Sequence, residues 1–250
     1  MNRGSYSNLS GKTVLVTGAG LGIGAALSIA LGELGADVIC ASRTQSDIDR
    51  VAQTISDAGS QALAVATDVT NVEQTLALAD AIDEAFGGLD VAFLNAGGNW
   101  QRKGIEESDI DDWKAAIELN LFSVFYGIRA VAPLMRKRGG GRIILTGSAM
   151  AHYPAVRNSS YCVAKAGARM LANTAAQELM ADNITVNEFI PGPTRTLQAL
   201  DGVTEDNKAS PFNNPAEWVK EPEEVVDMML TMAAYPGMGP TSQIFSLARR

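Results

Sequence analysis

Six apolar runs of four to six residues, rich in β-branched side chains, alternate with helix-length amphipathic stretches along most of this chain. They fall at 13–17, 38–42, 63–67, 91–95, 143–146 and 185–190. Continuous apolar runs this short belong to strands buried on both faces, the condition of a parallel sheet covered by helices. Between the second and third runs, Ile48, Val51, Ala52 and Ile55 recur at helical spacing and Gly59 stands where a helix would stop. Thr70 and Glu73 are spaced as a capping box for the next helix, which should close at Gly87 and Gly88. This alternation predicts an α/β fold, a doubly wound parallel sheet of about seven strands flanked by helices. A length of 250 residues suits one domain spanning 1–250, with 1–10 as a flexible tail.

Composition narrows the function. The formal charge of −8 argues against a nucleic-acid footprint or attraction to anionic lipid. The most apolar long segment, 115–135, is interrupted by Glu118, Asn120 and Arg129 and so reads as a buried helix, not a membrane span. The polar start offers no signal-peptide core, and two separated cysteines fit free thiols in a cytoplasmic protein. One histidine and two distant cysteines argue against a metal site.

The first strand runs into Gly18, Gly20, Leu21, Gly22, Ile23 and Gly24, followed by an Ala-rich helix. Glycines in such a turn admit a pyrophosphate close to the main chain, at a helix N-terminus with unpaired N–H groups. The chain therefore reads as a dinucleotide binder. The adenosine ribose would meet the end of the second strand, where an acidic residue would repel a 2′-phosphate. Ser42 and Arg43 stand there instead, and a hydroxyl beside a guanidinium favours NADP over NAD. The alternative is that Arg43 is a solvated residue opening a loop.

Tyr161 and Lys165 lie four apart in a stretch, 161–180, that reads as one helix, so they share a face. A nearby ammonium would lower the tyrosine's pKa from its usual value of about 10 towards a proton-transfer group. Ser148 follows the fifth strand, at the sheet edge where α/β folds place ligands, and its hydroxyl would bond a carbonyl oxygen as charge develops.

In these residues the chain resembles the short-chain dehydrogenase/reductases in their one-domain, Rossmann-type form. The resemblance runs from Gly11 to about Ile244 and rests on the glycine motif, Asp68-Val69, Asn95-Ala96-Gly97, Asn120, Ser148, the Tyr161/Lys165 pair, and Pro191-Gly192 with Thr196. It implies Tyr161 as general acid/base and Lys165 as holder of the nicotinamide ribose. It implies Ser148 on the substrate oxygen and Asn120 holding a relay water. Asp68 and Val69 would meet adenine, Asn95 would support the central sheet, and Ala96 and Gly97 would pass the cofactor. Thr194 and Thr196 would complete its site, Thr196 on the carboxamide. For Asp68 and Asn95 a structural capping role competes with ligand contact. Three positions depart from the family pattern. Leu21 stands where many NADP-using relatives carry a basic residue, Thr194 replaces an aliphatic one, and the ending Ala248-Arg249-Arg250 is atypical.

The implied activity is hydride transfer between NADP(H) and a carbonyl or secondary alcohol. The alternatives are an NAD(H)-dependent alcohol or polyol dehydrogenase, an epimerase or dehydratase using the same pair, and a silent NADP-binding regulator. Asn99, Trp100, Ala149, Met150, His152 and Tyr153 are expected in the substrate wall. The irregular segment 197–222 is expected to be a lid, with Leu197, Leu200, Phe212 and Trp218 as its apolar groups. The resemblance also implies a homotetramer built through the helices carrying Asn120 and Tyr161.

Overall fold

The computed structural model describes residues 6, 8–100, 102–200, 212 and 217–248. Most of the expected tail 1–10 and most of 197–222 lie outside the described residues, while Leu9 within that tail is buried. Seven parallel strands form one sheet in the order β3-β2-β1-β4-β5-β6-β7. They are β1 (Thr13–Thr17), β2 (Asp37–Ser42), β3 (Ala62–Ala66), β4 (Val91–Leu94), β5 (Gly141–Thr146), β6 (Ile184–Ile190) and β7 (Ile244–Ser246). Six of these are the apolar runs of the sequence, shifted by no more than two residues. The seventh is a half-exposed edge of three residues, too short to register as a run.

The helices are α1 (Gly22–Glu33), α2 (Gln45–Asp57), α3 (Val72–Phe86), α4 (Ile110–Ile117), α5 (Ser123–Lys137), α6 (Ser159–Glu178), α7 (Leu197–Leu200) and α8 (Pro222–Ala233). Because side chains alternate along a strand, the sheet builds two cores. Leu15, Ala92, Leu94, Ile143 and Leu145 pack under α3, α5 and α6. Val14, Val16, Val91, Phe93 and Ile144 pack on the other face under α1, α2 and α8.

Two local expectations change. The cap of α3 is Asn71, whose side chain accepts from the Gln74 N–H at 2.9 Å, not Thr70. Thr70 instead donates to Asp68 at 2.7 Å, because Asp68 closes the turn leaving β3. Gly87 ends α3 in the left-handed region, as its position suggested. The single buried helix expected over 115–135 is interrupted by a π turn, Glu118–Phe122. That wider turn places Asn120 fully inside, at 0% exposure.

Candidate active site

The strand order reverses between β1 and β4, and in open α/β sheets the crevice beyond the strand ends at such a reversal binds ligand. A cleft of about 1060 Å³ opens there. Its lining includes every residue expected to meet the cofactor: 18, 20–24, Ser42, Arg43, Asp68, Val69, 95–97, Tyr161, Lys165, Pro191, Gly192, Thr194 and Thr196.

At one end the main chain shapes the wall. A Cβ on Gly24 would lie 2.1 Å from the Gly18 carbonyl oxygen, so the turn and the start of α1 pack together only without a side chain. A Cβ on Gly22 would meet the Thr196 methyl at 3.0 Å, which brings the far end of β6 over the glycine turn. Asn95 ties the centre of the sheet together. Its N–H and Nδ2 donate to Thr17, and its Oδ1 accepts from the Thr146 hydroxyl at 3.0 Å. Asp68 lines the cleft, but its carboxylate is already engaged by Thr70. Beyond Ser42 and Arg43 the wall includes Asp47, and Arg50 donates to the Gly20 carbonyl at 3.2 Å. Neither residue was singled out from the sequence, because both lie in an exposed amphipathic helix where charges are ordinary.

At the other end side chains converge. Ser148 follows β5 and its hydroxyl accepts from the Met150 N–H at 3.2 Å, starting a short 3₁₀ turn, Ala149–Ala151. Tyr161 and Lys165 sit one turn apart near the start of α6, where Trp113 donates to Ser159 at 3.1 Å. The Lys165 Nζ lies 5.6 Å from the Tyr161 ring centroid and donates to the Thr146 carbonyl at 2.7 Å. Burial pushes the Tyr161 hydroxyl above its ordinary value, the hydrogen bond with Ser148 pulls it down, and Cys162 adds to the rise. Burial also pushes Lys165 down to about 8, against the pull of Glu188. Burial is therefore the largest influence on both groups.

Asn120 stands behind this end. Its Nδ2 donates to the carbonyls of Gly98 and Ala116, and its Oδ1 accepts from the Gly98 N–H. The amide thus pins the 97–98 turn against the π turn. A Cβ on Gly97 would meet Asn120 Oδ1 at 2.9 Å and Lys165 Nζ at 3.3 Å, so the two groups flank one backbone position.

Of the expected substrate wall, Asn99, Ala149 and Met150 line the cleft. Trp100, His152 and Tyr153 are not among its lining residues. Trp100 and Tyr153 are exposed, and His152 turns inward to lie 3.6 Å from Glu188. The rest of the wall is supplied by 155–158 and Arg102, with Asn99 donating to Asn158 at 2.8 Å. These residues precede the catalytic-type helix by loop geometry that carries no sequence signal. From the expected lid, α7 forms one helical turn, and Phe212 lines the cleft.

The model of the short chain dehydrogenase family matches residues 12–207. The chain is 30% identical to the 7alpha-hydroxysteroid dehydrogenase of Escherichia coli K12, over 96% of this chain and 94% of that one. The chain belongs to the short-chain dehydrogenase family. A solved 7 alpha-hydroxysteroid dehydrogenase in complex with NADH and 7-oxo glycochenodeoxycholic acid superposes with a TM-score of 0.91 at 30% identity, covering 99% and 97% of the two chains. L-Sorbose reductase from Gluconobacter frateurii, in complex with NADPH and L-sorbose, superposes with a TM-score of 0.87 at 27% identity, covering 96% and 95%.

Membership makes this short-chain dehydrogenase a nicotinamide-dependent oxidoreductase. The cleft fits such a group, because the glycine turn leaves no side chain where a pyrophosphate would meet the start of α1. Among the described residues no cluster of His, Cys, Asp or Glu has the makings of a metal site.

Proposed function

We propose that the protein passes a hydride between NADP(H) and a carbonyl or secondary alcohol, with Tyr161 as general acid/base. The observation that carries this reading is the convergence of Ser148, Tyr161 and Lys165 on the one cleft that Ser42 and Arg43 also line, with Lys165 Nζ 5.6 Å from the Tyr161 ring one helical turn away. The bound nicotinamide would supply or accept the hydride. Tyr161 would give a proton to the carbonyl oxygen in reduction and take it from the hydroxyl in oxidation. Ser148 would hold that oxygen, and Lys165 would hold the nicotinamide ribose while favouring the phenolate. Asn120 would keep the 97–98 turn against the cofactor and support a relay water next to Lys165. Ala149 and Met150 would contact the substrate.

Preference for NADP rests on Arg43, which lines the cleft beside Ser42, with Arg50 one turn along α2 from Asp47. Asp47 in the same wall favours the second reading, an NAD(H)-dependent enzyme. The exposed Phe122, Phe125, Val163 and Met170 on the π turn, α5 and α6 support a homotetramer, which light scattering would test. A cytoplasmic setting agrees with the unpaired Cys40 and Cys162.

The test is turnover of NADPH and NADH against a panel of cyclic ketones, keto acids and sugars, and the reverse with the alcohols. Substrate-dependent oxidation of NADPH, faster than of NADH, is the expected result. No hydride transfer with either cofactor across the panel would reject the reading.

A further inference from the structure

Glu188 lies in β6 with only 3% of its surface exposed. Its partners across the sheet, Leu145 and Ile244, are apolar. Neither carboxylate oxygen meets a hydrogen-bond partner among the described residues. A charge held this way is costly to the fold, and an apolar side chain would pack there without that cost. The surroundings nevertheless make room for it. A Cβ on Gly147 would stand 1.9 Å from Glu188 Oε1, so the carboxylate occupies space that exists only because the residue before Ser148 is glycine.

The groups facing it come from two elements. His152, at the end of the 3₁₀ turn begun by Ser148, brings Nε2 to 3.6 Å from Oε2. Arg169, on α6, brings Nε to 3.9 Å from the same oxygen. Lys165, one turn earlier on α6, feels the carboxylate as a charge that favours its ammonium. Burial pushes the Glu188 carboxyl above the usual carboxylate range, while Arg169, Lys165 and the Ser148 N–H, the last from outside hydrogen-bond geometry, favour its charged form. Glu188 therefore lies behind the backbone of Ser148, between the turn carrying the serine and the helix carrying Tyr161 and Lys165.

We propose that Glu188 is a positioning residue for hydride transfer, an internal anion that keeps Lys165 charged and holds the Ser148–His152 turn against α6. It touches neither substrate nor cofactor; it acts through Lys165 and the turn. The proposal rests on the reading of Ser148, Tyr161 and Lys165 given above. Its physical basis is that an anion in a poorly hydrated site raises the proton affinity of every nearby base, while a cation lowers it. Removing the anion should let Lys165 and Tyr161 lose their protons at lower pH. Both changes move the alkaline limb of carbonyl reduction in the same direction.

The experiment is the pH profile of kcat for carbonyl reduction in Glu188→Gln, Glu188→Asp and Arg169→Met, with thermal melts alongside. Glu188→Gln keeps the shape and removes the charge. Its kcat should fall about tenfold and its alkaline limb should move down by about one pH unit, a shift that a loss of packing would not produce. Glu188→Asp keeps the charge and should restore the limb. Arg169→Met removes a half-exposed cation and should move the limb the other way, which keeps the test decisive should Glu188→Gln fail to fold. A limb unmoved in Glu188→Gln, or unmoved in Arg169→Met where Glu188→Gln does not fold, overturns the proposal. Wild-type turnover in Tyr161→Phe would instead reject the reading of the site itself, a result that no Glu188 variant produces.

Discussion

At the glycine-turn end of the cleft the main chain forms the wall, and a single added Cβ at Gly24 would reach within 2.1 Å of a carbonyl oxygen. At the other end the wall is made of side chains from β5, α6 and the π turn, held by individual hydrogen bonds. The first kind of site is fixed by what is missing and tolerates no addition. The second is fixed by chemical groups, several of them buried at a cost in desolvation, and tolerates replacement of shape better than replacement of charge. Substitutions at the two ends should therefore separate structure from chemistry.

The largest effect is expected at Gly24. Gly24→Val places branched carbon against the Gly18 carbonyl, so the turn must open. Cofactor binding should be lost, with a stability cost of about 3 kcal/mol or more, since neither backbone segment can yield cheaply. Fluorescence titration with NADPH and a denaturant melt would show both, and wild-type affinity would break the contrast.

Lys165→Met should behave in the opposite sense. Turnover and cofactor affinity should fall, turnover by about a hundredfold or more, because a charge-assisted partner is gone. Stability at pH 7 should be retained or raised. The folded protein holds Lys165 near 8, below its ordinary 10.5, so the ammonium destabilises the fold below about pH 8. That cost fades as pH rises from about 8 to 10.5, where the unfolded chain binds more protons than the folded one. The wild type should therefore gain on the variant over that window, and calorimetry at pH 7 and pH 10 checks the sign.

The smallest of these effects is at the rim, where Ser42 and Arg43 meet solvent. Ser42→Asp with Arg43→Ile should reverse the preference between NADPH and NADH in kcat/KM, a change of about ten- to a hundredfold, through charge repulsion on a 2′-phosphate. An unchanged ratio would make Arg43 a solvated loop residue and leave Asp47 as the selecting group.

The two ends also differ in how far they could be read from the residues alone. Strand runs, the glycine turn and the spacing of Ser148, Tyr161 and Lys165 are local patterns, and each lies where the pattern put it. The π turn at Asn120 left no such trace, because its apolar spacing is that of an ordinary buried helix. Nor did the part of the substrate wall made by 155–158 and Arg102. His152 faces the buried carboxylate of a residue 36 positions away, and that approach depends on the β5–β6 register. Glu188 carries no such signal either, because a single acidic residue inside an apolar run says nothing about which neighbours it will meet. The cap of α3 fell to Asn71 once Asp68 had engaged Thr70, a competition between adjacent polar side chains that spacing does not resolve.

The most direct test of the central claim is Tyr161→Phe, assayed for carbonyl reduction with the preferred cofactor and titrated with that cofactor by fluorescence. The substitution removes one hydroxyl, the proton-transfer group, and leaves the glycine turn and Lys165 in place. Turnover should fall by about a hundred- to ten-thousandfold while cofactor affinity stays within about twofold. Turnover close to that of the wild type, at unchanged cofactor affinity, would contradict the account.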